Sequence, residues 1–195
     1  MNSPSLTIRA ATTKDLPAII DLRAEAEHWL REQGIRQWTP DYDDYAREVL
    51  RDWVHSGAAW VVEDKNVVVA TVSLNGTADM DFWGWLPEEQ RADALYLGKM
   101  IVSRSRAGQG IGDAVLNWAS ERAQAAGVRW LRIDVRRDNM ELQNYYLARL
   151  FNHLRTFKPA QRRTESGALF QRMAGTTMPV PIKLTEVYRH GVAGT

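Results

Sequence analysis

The sequence predicts an α/β (α+β) fold: a mixed, mostly antiparallel twisted sheet with a central parallel strand pair, flanked by about four helices. Three observations carry that expectation. Two β-rich runs, Ala58 to Glu63 and Val67 to Leu74, are joined by Asp64-Lys65-Asn66, a polar connection short enough to make an antiparallel hairpin. A third run, Leu95 to Val102, passes through a Ser/Arg/Gly stretch into a helical segment and then into Trp130 to Val135. Such a crossover makes its two strands parallel. Finally, a chain of 195 residues holds one well-buried core and not two, so a single domain over 1–173 is expected.

In chain order, Leu6 to Ala10 is a short apolar stretch with β character. Thr12 with Asp15 three residues later forms a capping box, which starts a helix. Its apolar positions Leu16, Ile19, Ile20, Ala26, Trp29 and Leu30 keep helical spacing, and Gly34 stops it. A second helix after Pro40 sets Tyr42, Tyr45, Val49, Trp53 and Val54 on one face and ends near Gly57. After the hairpin, residues Asn75 to Asp93 mix Gly, Asp and Pro with Phe82, Trp83, Trp85 and Leu86. A loop with a short helical piece, serving as a lid or pocket wall, is expected there. The helix from about Ile111 to Ala126 gathers Ala114, Val115, Trp118, Ala119 and Ala123 on one side and closes at Gly127. Trp130 to Val135 is almost continuously apolar, as a central buried strand should be. A helix from about Met140 to Leu150 and strands at Phe151 to Phe157 and Ala168 to Met173 complete the domain. The tail, 174–195, carries Pro179 and Pro181 without any period. It is expected to be disordered or to pack on a partner, a homodimer being one such arrangement.

Composition removes several function classes. Lys and Arg number 25 against 24 Asp and Glu, so a net charge of +1 implies neither a polyanion nor a membrane partner. Cysteine is absent, which excludes disulfides, thiolate metal sites and cysteine nucleophiles, and no metal is expected. The start MNSPSLTIRA lacks a basic segment followed by an apolar run, and no apolar stretch approaches the ~18 to 20 residues that span a bilayer, so a cytoplasmic location is expected. Arg136-Arg137 and Arg162-Arg163 are two short basic pairs without an aromatic platform, and no nucleic-acid partner is expected from them.

The chemistry-bearing segment is Arg106-Ala107-Gly108-Gln109-Gly110-Ile111-Gly112, between a strand and a helix. There, successive N–H groups can converge on an anion at the positive end of the helix dipole, and glycines permit close approach and positive φ. That geometry suits a pyrophosphate, with Arg104 and Arg106 near enough to add charge; a tight turn with glycine caps is the plainer alternative. Two rival phosphate loops fail. The nucleoside-triphosphatase loop needs Gly-Lys-Ser/Thr, which does not follow Gly110 or Gly112, and the dinucleotide fingerprint needs G-x-G-x-x-G where this chain has G-x-G-x-G.

The strand Met100-Ile101-Val102 entering this loop, and the segment Asn139 to Phe151 with a Tyr seven residues after its Asn, resemble successive motifs of the GNAT superfamily of N-acetyltransferases. Ile8 to Thr12 with Asp15-Leu16 is similar to the first strand and helix of many members, so the resemblance covers most of 6–173. It implies acetyl-CoA or another acyl-CoA as co-substrate and a small-molecule or peptide amine as acceptor. The parallel strand pair would be splayed for CoA, with pantetheine along Met100, Ile101 and Val102 and pyrophosphate on Ala107, Gly108, Gln109, Gly110, Ile111 and Gly112. Three departures stand out. Ala107 occupies the usual Arg or Gln position, Leu150 replaces the usual Gly before Phe151, and Tyr96 to Met100 holds no Asp, Glu or His to act as a base. A catalytically silent acyl-CoA-binding or regulatory module of the same fold is therefore the alternative function.

Acyl transfer to an amine needs a neutral nucleophile, stabilisation of the oxyanion and a proton for the leaving thiolate. Tyr146 matches the family's general-acid position; a phenol of pKa about 10 faces a thiolate whose cysteine analogue is near 8.5. Tyr145 points roughly 100° away around the helix, so one of the two can face the sulfur. Asn139 either bridges loop and cofactor or caps the helix, and capping is the commoner role. Candidate bases by residue type are Glu25, Glu27, His28, Asp79, Asp81 and Asp134, of which Asp134 interrupts an apolar strand beside the expected pocket. Trp83 and Trp85, with Phe82, are candidates for walls of an acceptor site or for core packing.

Overall fold

In the computed structural model, which describes residues 5–35, 43–160 and 165–188, β1 (Ser5–Ala10) enters α1 (Leu16–Glu32) through a 3-10 turn at Thr13–Asp15. The capping box forms: the Asp15 carboxylate accepts from the Thr12 N–H at 2.7 Å and from its hydroxyl at 2.9 Å. The same carboxylate takes both guanidinium nitrogens of Arg9 at 2.8 Å, and Arg9 also donates to Glu63 at 2.5 Å, so three buried charged groups tie β1 to the head of α1. After α2 (Asp43–His55), β2 (Ala59–Asp64) and β3 (Val67–Asn75) form the expected hairpin, with Lys65 and Asn66 at φ 51° and 68° in its turn. Pro40, Tyr42 and the Arg162-Arg163 pair lie outside the described residues.

The remaining elements are α3 (Met80–Trp83), α4 (Glu88–Ala92), β4 (Ala94–Val102), α5 (Ile111–Ala125), β5 (Trp130–Arg136), α6 (Met140–Leu147), β6 (Asn152–Thr156), β7 (Ser166–Met173) and β8 (Lys183–Glu186). They build one eight-stranded sheet of order β6-β7-β5-β4-β3-β2-β1-β8. The pairs β4/β5 and β1/β8 are parallel and the others antiparallel, the mixed sheet expected. The helices exceed the expected four because 75–93, anticipated as a loop with one helical piece, folds into two short helices.

Alternation along β5 assigns the two faces. Leu131, Ile133 and Val135 join Val115, Ala119, Tyr146 and Phe151 in the core under α5 and α6. Arg132 points the other way, its guanidinium 5.3 Å from the Trp83 ring centre. That second face carries α1 and α2 over Ala59 and Val61 at one end, and Phe82, Trp83 and Leu86 against Tyr96 and Leu169 at the other.

The α6 helix stops at Leu147, earlier than its apolar spacing indicates. Leu150 sits at φ 64° while the Phe151 N–H reaches back to the Tyr146 carbonyl at 3.2 Å, a left-handed helix end of the kind glycine usually supplies. Leu150 thus takes the conformation that glycine favours, at about 1–2 kcal/mol of backbone strain.

The tail differs more from expectation than any other part. Its described stretch, to residue 188, runs along α5 and ends in β8, an edge strand on β1. No helix among the described residues is long and apolar enough to cross a membrane.

Candidate functional site

The two parallel strands pair over only Ala94↔Trp130, Leu95↔Leu131 and Tyr96↔Arg132. Beyond that point β4 continues to Val102 against β3, and β5 continues to Arg136 against β7. Each strand therefore turns an edge of backbone N–H and C=O groups toward the other across an opening V. Met100, Ile101 and Val102 lie on the β4 wall, and Asp134 lies on the β5 wall two residues past the last pair. A bulge in β4 drives the divergence: the register against β3 jumps from Ser73↔Gly98 to Thr71↔Ile101, leaving Lys99 at φ 44°. Gly98 is one residue short of the strained position; a Cβ there would sit 3.2 Å from the Ser73 hydroxyl, so close packing explains this glycine.

At the mouth of the V, Arg104–Arg106 makes a 3-10 turn, Gly108 and Gly110 take φ 76° and 83°, and Gly110 caps α5. The first helical bond runs from the Ala114 N–H to the Gly110 carbonyl at 3.0 Å. The N–H groups of Ile111, Gly112 and Asp113 thus precede any intrahelical acceptor and sit at the positive end of a 15-residue helix. A Cβ on Gly108 would meet open space, so this side of the loop admits a ligand. The neighbouring arginines are committed elsewhere. Arg106 is salt-bridged to Asp64 and donates to Gln109 at 3.4 Å, while Arg104 stacks on Trp29 at 3.8 Å and its N–H donates to Glu25 at 3.1 Å. Ala107 itself adds only a methyl group, so the uncommitted polar groups at the helix start are backbone N–H groups.

Next to the start of α5 stands α6. Asn139 caps it, its side chain accepting from the Leu142 N–H at 2.9 Å, so the capping alternative describes this residue. Tyr145 and Tyr146 separate as helix geometry requires. The Tyr145 hydroxyl donates to Asp113 in the first turn of α5 at 2.9 Å, and Arg149 forks onto the same carboxylate while lying 3.3 Å over the Tyr145 ring. Tyr146 turns inward, 6% exposed, with its ring edge-on to Phe151 at 5.5 Å. Burial first, and the negative charge of Asp134 second, push its phenol well above the ordinary value, against an opposing pull from Arg149.

Beneath α6 lies Arg172 of β7, fully buried, donating to the carbonyls of Arg149 and Leu116, with no partner for its Nε. Burial pulls its guanidinium down to about 10. Asp113, Arg149 and Arg172 were not singled out from the sequence. Asp113 in a helix's first turn is visible there, but its partners lie 32 and 36 residues on, with no local signature.

The other sequence candidates are spread more widely. Glu25 is held by the Arg104 N–H, Glu27 pairs with Arg31, His28 pairs with Glu32 on the surface, and Asp79 caps α3. Of the acidic candidates, Asp134 is the one whose charge acts on Tyr146. Trp83 is 1% exposed and packs edge-on to Tyr96 at 5.5 Å, at the closed end of the β4/β5 pair, so it is core and offers no wall to an acceptor. Arg136 and Arg137 are paired with Asp138 and Glu165.

The chain is similar in sequence or fold to known acetyltransferases. The model of the acetyltransferase (GNAT) family matches residues 23–151. A curated relative, the uncharacterized N-acetyltransferase YesJ of Bacillus subtilis (strain 168), is 27% identical over 139 residues, which span 70% of this chain and 76% of that protein. A GNAT-family acetyltransferase from Streptococcus agalactiae 2603 superposes with a TM-score of 0.69 at 18% identity, covering 86% of this chain and 95% of its own. The PaiA N-acetyltransferase of Thermoplasma acidophilum, solved in complex with coenzyme A, superposes with a TM-score of 0.65 at 16% identity, covering 86% and 98%. These two structures share the fold. With the family model spanning well over half the chain, from α1 through the glycine loop to the end of the α6 turn, this protein belongs to the GNAT acetyltransferase family.

Proposed function

We propose that this chain is an N-acetyltransferase that moves an acetyl group from acetyl-CoA to a primary amine by direct attack, with Tyr146 protonating the departing CoA thiolate. The observation that carries this reading is the V between β4 and β5, closed at Tyr96↔Arg132, with an N–H-rich helix start at the end of β4 and, buried and under the charge of Asp134 on the β5 wall, the Tyr146 phenol. Acetyl-CoA supplies the activated thioester carbonyl and a leaving thiolate. The N–H groups of Gly108 to Gly112 hold its pyrophosphate, the β4 edge from Met100 to Val102 orders the pantetheine amides, and a β4 N–H near the bulge faces the thioester oxygen. Tyr146 keeps its proton throughout the neutral range because burial and Asp134 disfavour the phenolate. The burial that raises this phenol also raises a thiolate beside it, which keeps proton transfer between them within reach. Asp134, on the β5 wall, is the carboxylate that draws an ammonium toward the V and takes its proton, directly or through water.

Thiol release from acetyl-CoA with a panel of amines tests the reading. Amine-dependent release is expected, and Tyr146→Phe should lower kcat at least tenfold once chemistry is shown to limit turnover. Binding of CoA with no release above background would favour the silent module instead, whose support is Ala107 and the absence of an acidic residue or His from Tyr96 to Met100.

A further inference from the structure

The C-terminal segment lies outside the family match and is fastened along the whole length of the helix that starts at the glycine loop. The Gly175 N–H donates to the Ser120 carbonyl at 2.9 Å. Asn117, buried within α5, spends both ends of its amide on the backbone of Met178, donating at 2.7 Å and accepting at 3.0 Å. Ile182 is 5% exposed and enters the main core. The segment then becomes β8 on β1, where Glu186 accepts from the Trp118 indole at 2.9 Å and from Arg122 at 2.6 Å. From Ser120 to Asn117 and onward, it climbs α5 toward its N-terminus.

At that end it reaches the loop. A Cβ on Gly110 would lie 3.0 and 3.2 Å from Cγ and Cδ of Pro181, so the proline ring rests flush on the glycine that caps α5. The two left-handed glycines of the loop are therefore unlike: Gly108 faces open space and Gly110 faces the C-terminal segment. A glycine loop binds an anion well only if its N–H groups are already convergent, since glycine has the most backbone freedom to lose. A rigid ring set against one side of such a loop removes part of that loss before the ligand arrives.

We propose that residues 174–187 form a brace that pre-organises the glycine loop for acyl-CoA, with Pro181 as its positioning residue. This rests on the acyl-CoA reading above. Pro181 takes no part in the chemistry, so its loss should show in affinity and not in turnover. The test is calorimetric binding of CoA, together with KM and kcat for acetyl-CoA, for the wild type, Pro181→Gly and Pro181→Val. Pro181→Gly should weaken CoA binding about five- to tenfold and raise KM in step, leaving kcat at saturation unchanged. Pro181→Val, which keeps a branched side chain against Gly110, should recover most of the affinity. Equal or tighter CoA binding by Pro181→Gly, or a loss that Pro181→Val shares in full, overturns the brace while leaving the acyl-CoA reading intact. A wild-type protein that binds no CoA overturns both.

Discussion

Gly112 and Tyr145 meet at the junction of the glycine loop and α6, and their coupling can be worked out from the structure. A Cβ on Gly112 would lie 2.8 Å from the Tyr145 hydroxyl, closer than such atoms approach. The hydroxyl cannot simply swing aside, because it donates to Asp113 at 2.9 Å and its ring lies under Arg149 at 3.3 Å. Gly112→Ala therefore breaks a hydrogen bond to a charged acceptor, worth ~1.5–3 kcal/mol. It gains back ~0.5–1 kcal/mol because alanine is the better helix residue. The expected net loss is about 1–2 kcal/mol, measured by urea unfolding. In a Tyr145→Phe background the oxygen and its hydrogen bond are both gone, so Gly112→Ala should be neutral or stabilising by about 0.5 kcal/mol. The cycle should thus show about 1–2.5 kcal/mol of coupling. If Gly112→Ala costs the same in both backgrounds, the junction is not held as described, and Tyr145 is not what fixes α6 against the loop.

Arg172 is fully buried with two carbonyl partners, so Arg172→Ala leaves both unmatched beside a cavity at Phe151 and should cost about 3–5 kcal/mol by urea unfolding. Arg172→Met refills the volume and removes a buried cation, and recovery of less than half that loss would contradict this account. Burial would raise the Asp15 carboxyl, but hydrogen bonds from Arg9 and Thr12 outweigh it and hold it at about 2. A carboxyl depressed in the folded state stabilises above its unfolded pKa and loses that contribution as pH falls. The wild-type advantage over Asp15→Asn should therefore shrink by about 1 kcal/mol between pH 6 and pH 3. A constant difference across that range would dismiss it. Because burial pushes the Tyr146 phenol upward, kcat should show no basic limb from its ionisation below about pH 10. A limb below pH 9 that disappears in Tyr146→Phe would count against the assigned acid.

Local signals made most of the framework legible. The Lys65-Asn66 turn, the Thr12/Asp15 box and the strand–glycine loop–helix order are each written within a few residues, and each forms as its chemistry dictates. What the sequence hid depends on partners far along the chain. Tyr145 and Tyr146 are indistinguishable in type, and only the approach of Asp113 to one of them separates their roles. Trp83 looked like a pocket wall because an aromatic cluster beside Gly and Pro marks a binding loop as readily as a core. Its edge contact with Tyr96 and the Arg132 cation over it settle the matter for packing. The tail was unreadable for a similar reason. Four residues of β8 pair with β1 at the opposite end of the chain, and two prolines obscure any period in between.

The Ala107 position shows how these long-range partners change the meaning of a local departure. Arg104 and Arg106 flank the gap, and the sequence offers either as a replacement for the missing side chain. Instead Arg106 is bridged to Asp64 in the β2–β3 hairpin, and Arg104 stacks on Trp29 of α1 while its N–H is taken by Glu25. Both arginines therefore tether the loop, and in the proposed reading the anion is left to the backbone. With Pro181 set against Gly110, the loop is held from the hairpin, from α1 and from the C-terminal segment. A loop restrained on three sides has little conformational freedom left to lose when a pyrophosphate binds. N–H groups held in convergence at a helix start form an anion site without a cation of their own. In the proposed brace, rigidity at the loop takes the place of charge within it, and Ala107 is then compatible with acyl-CoA binding.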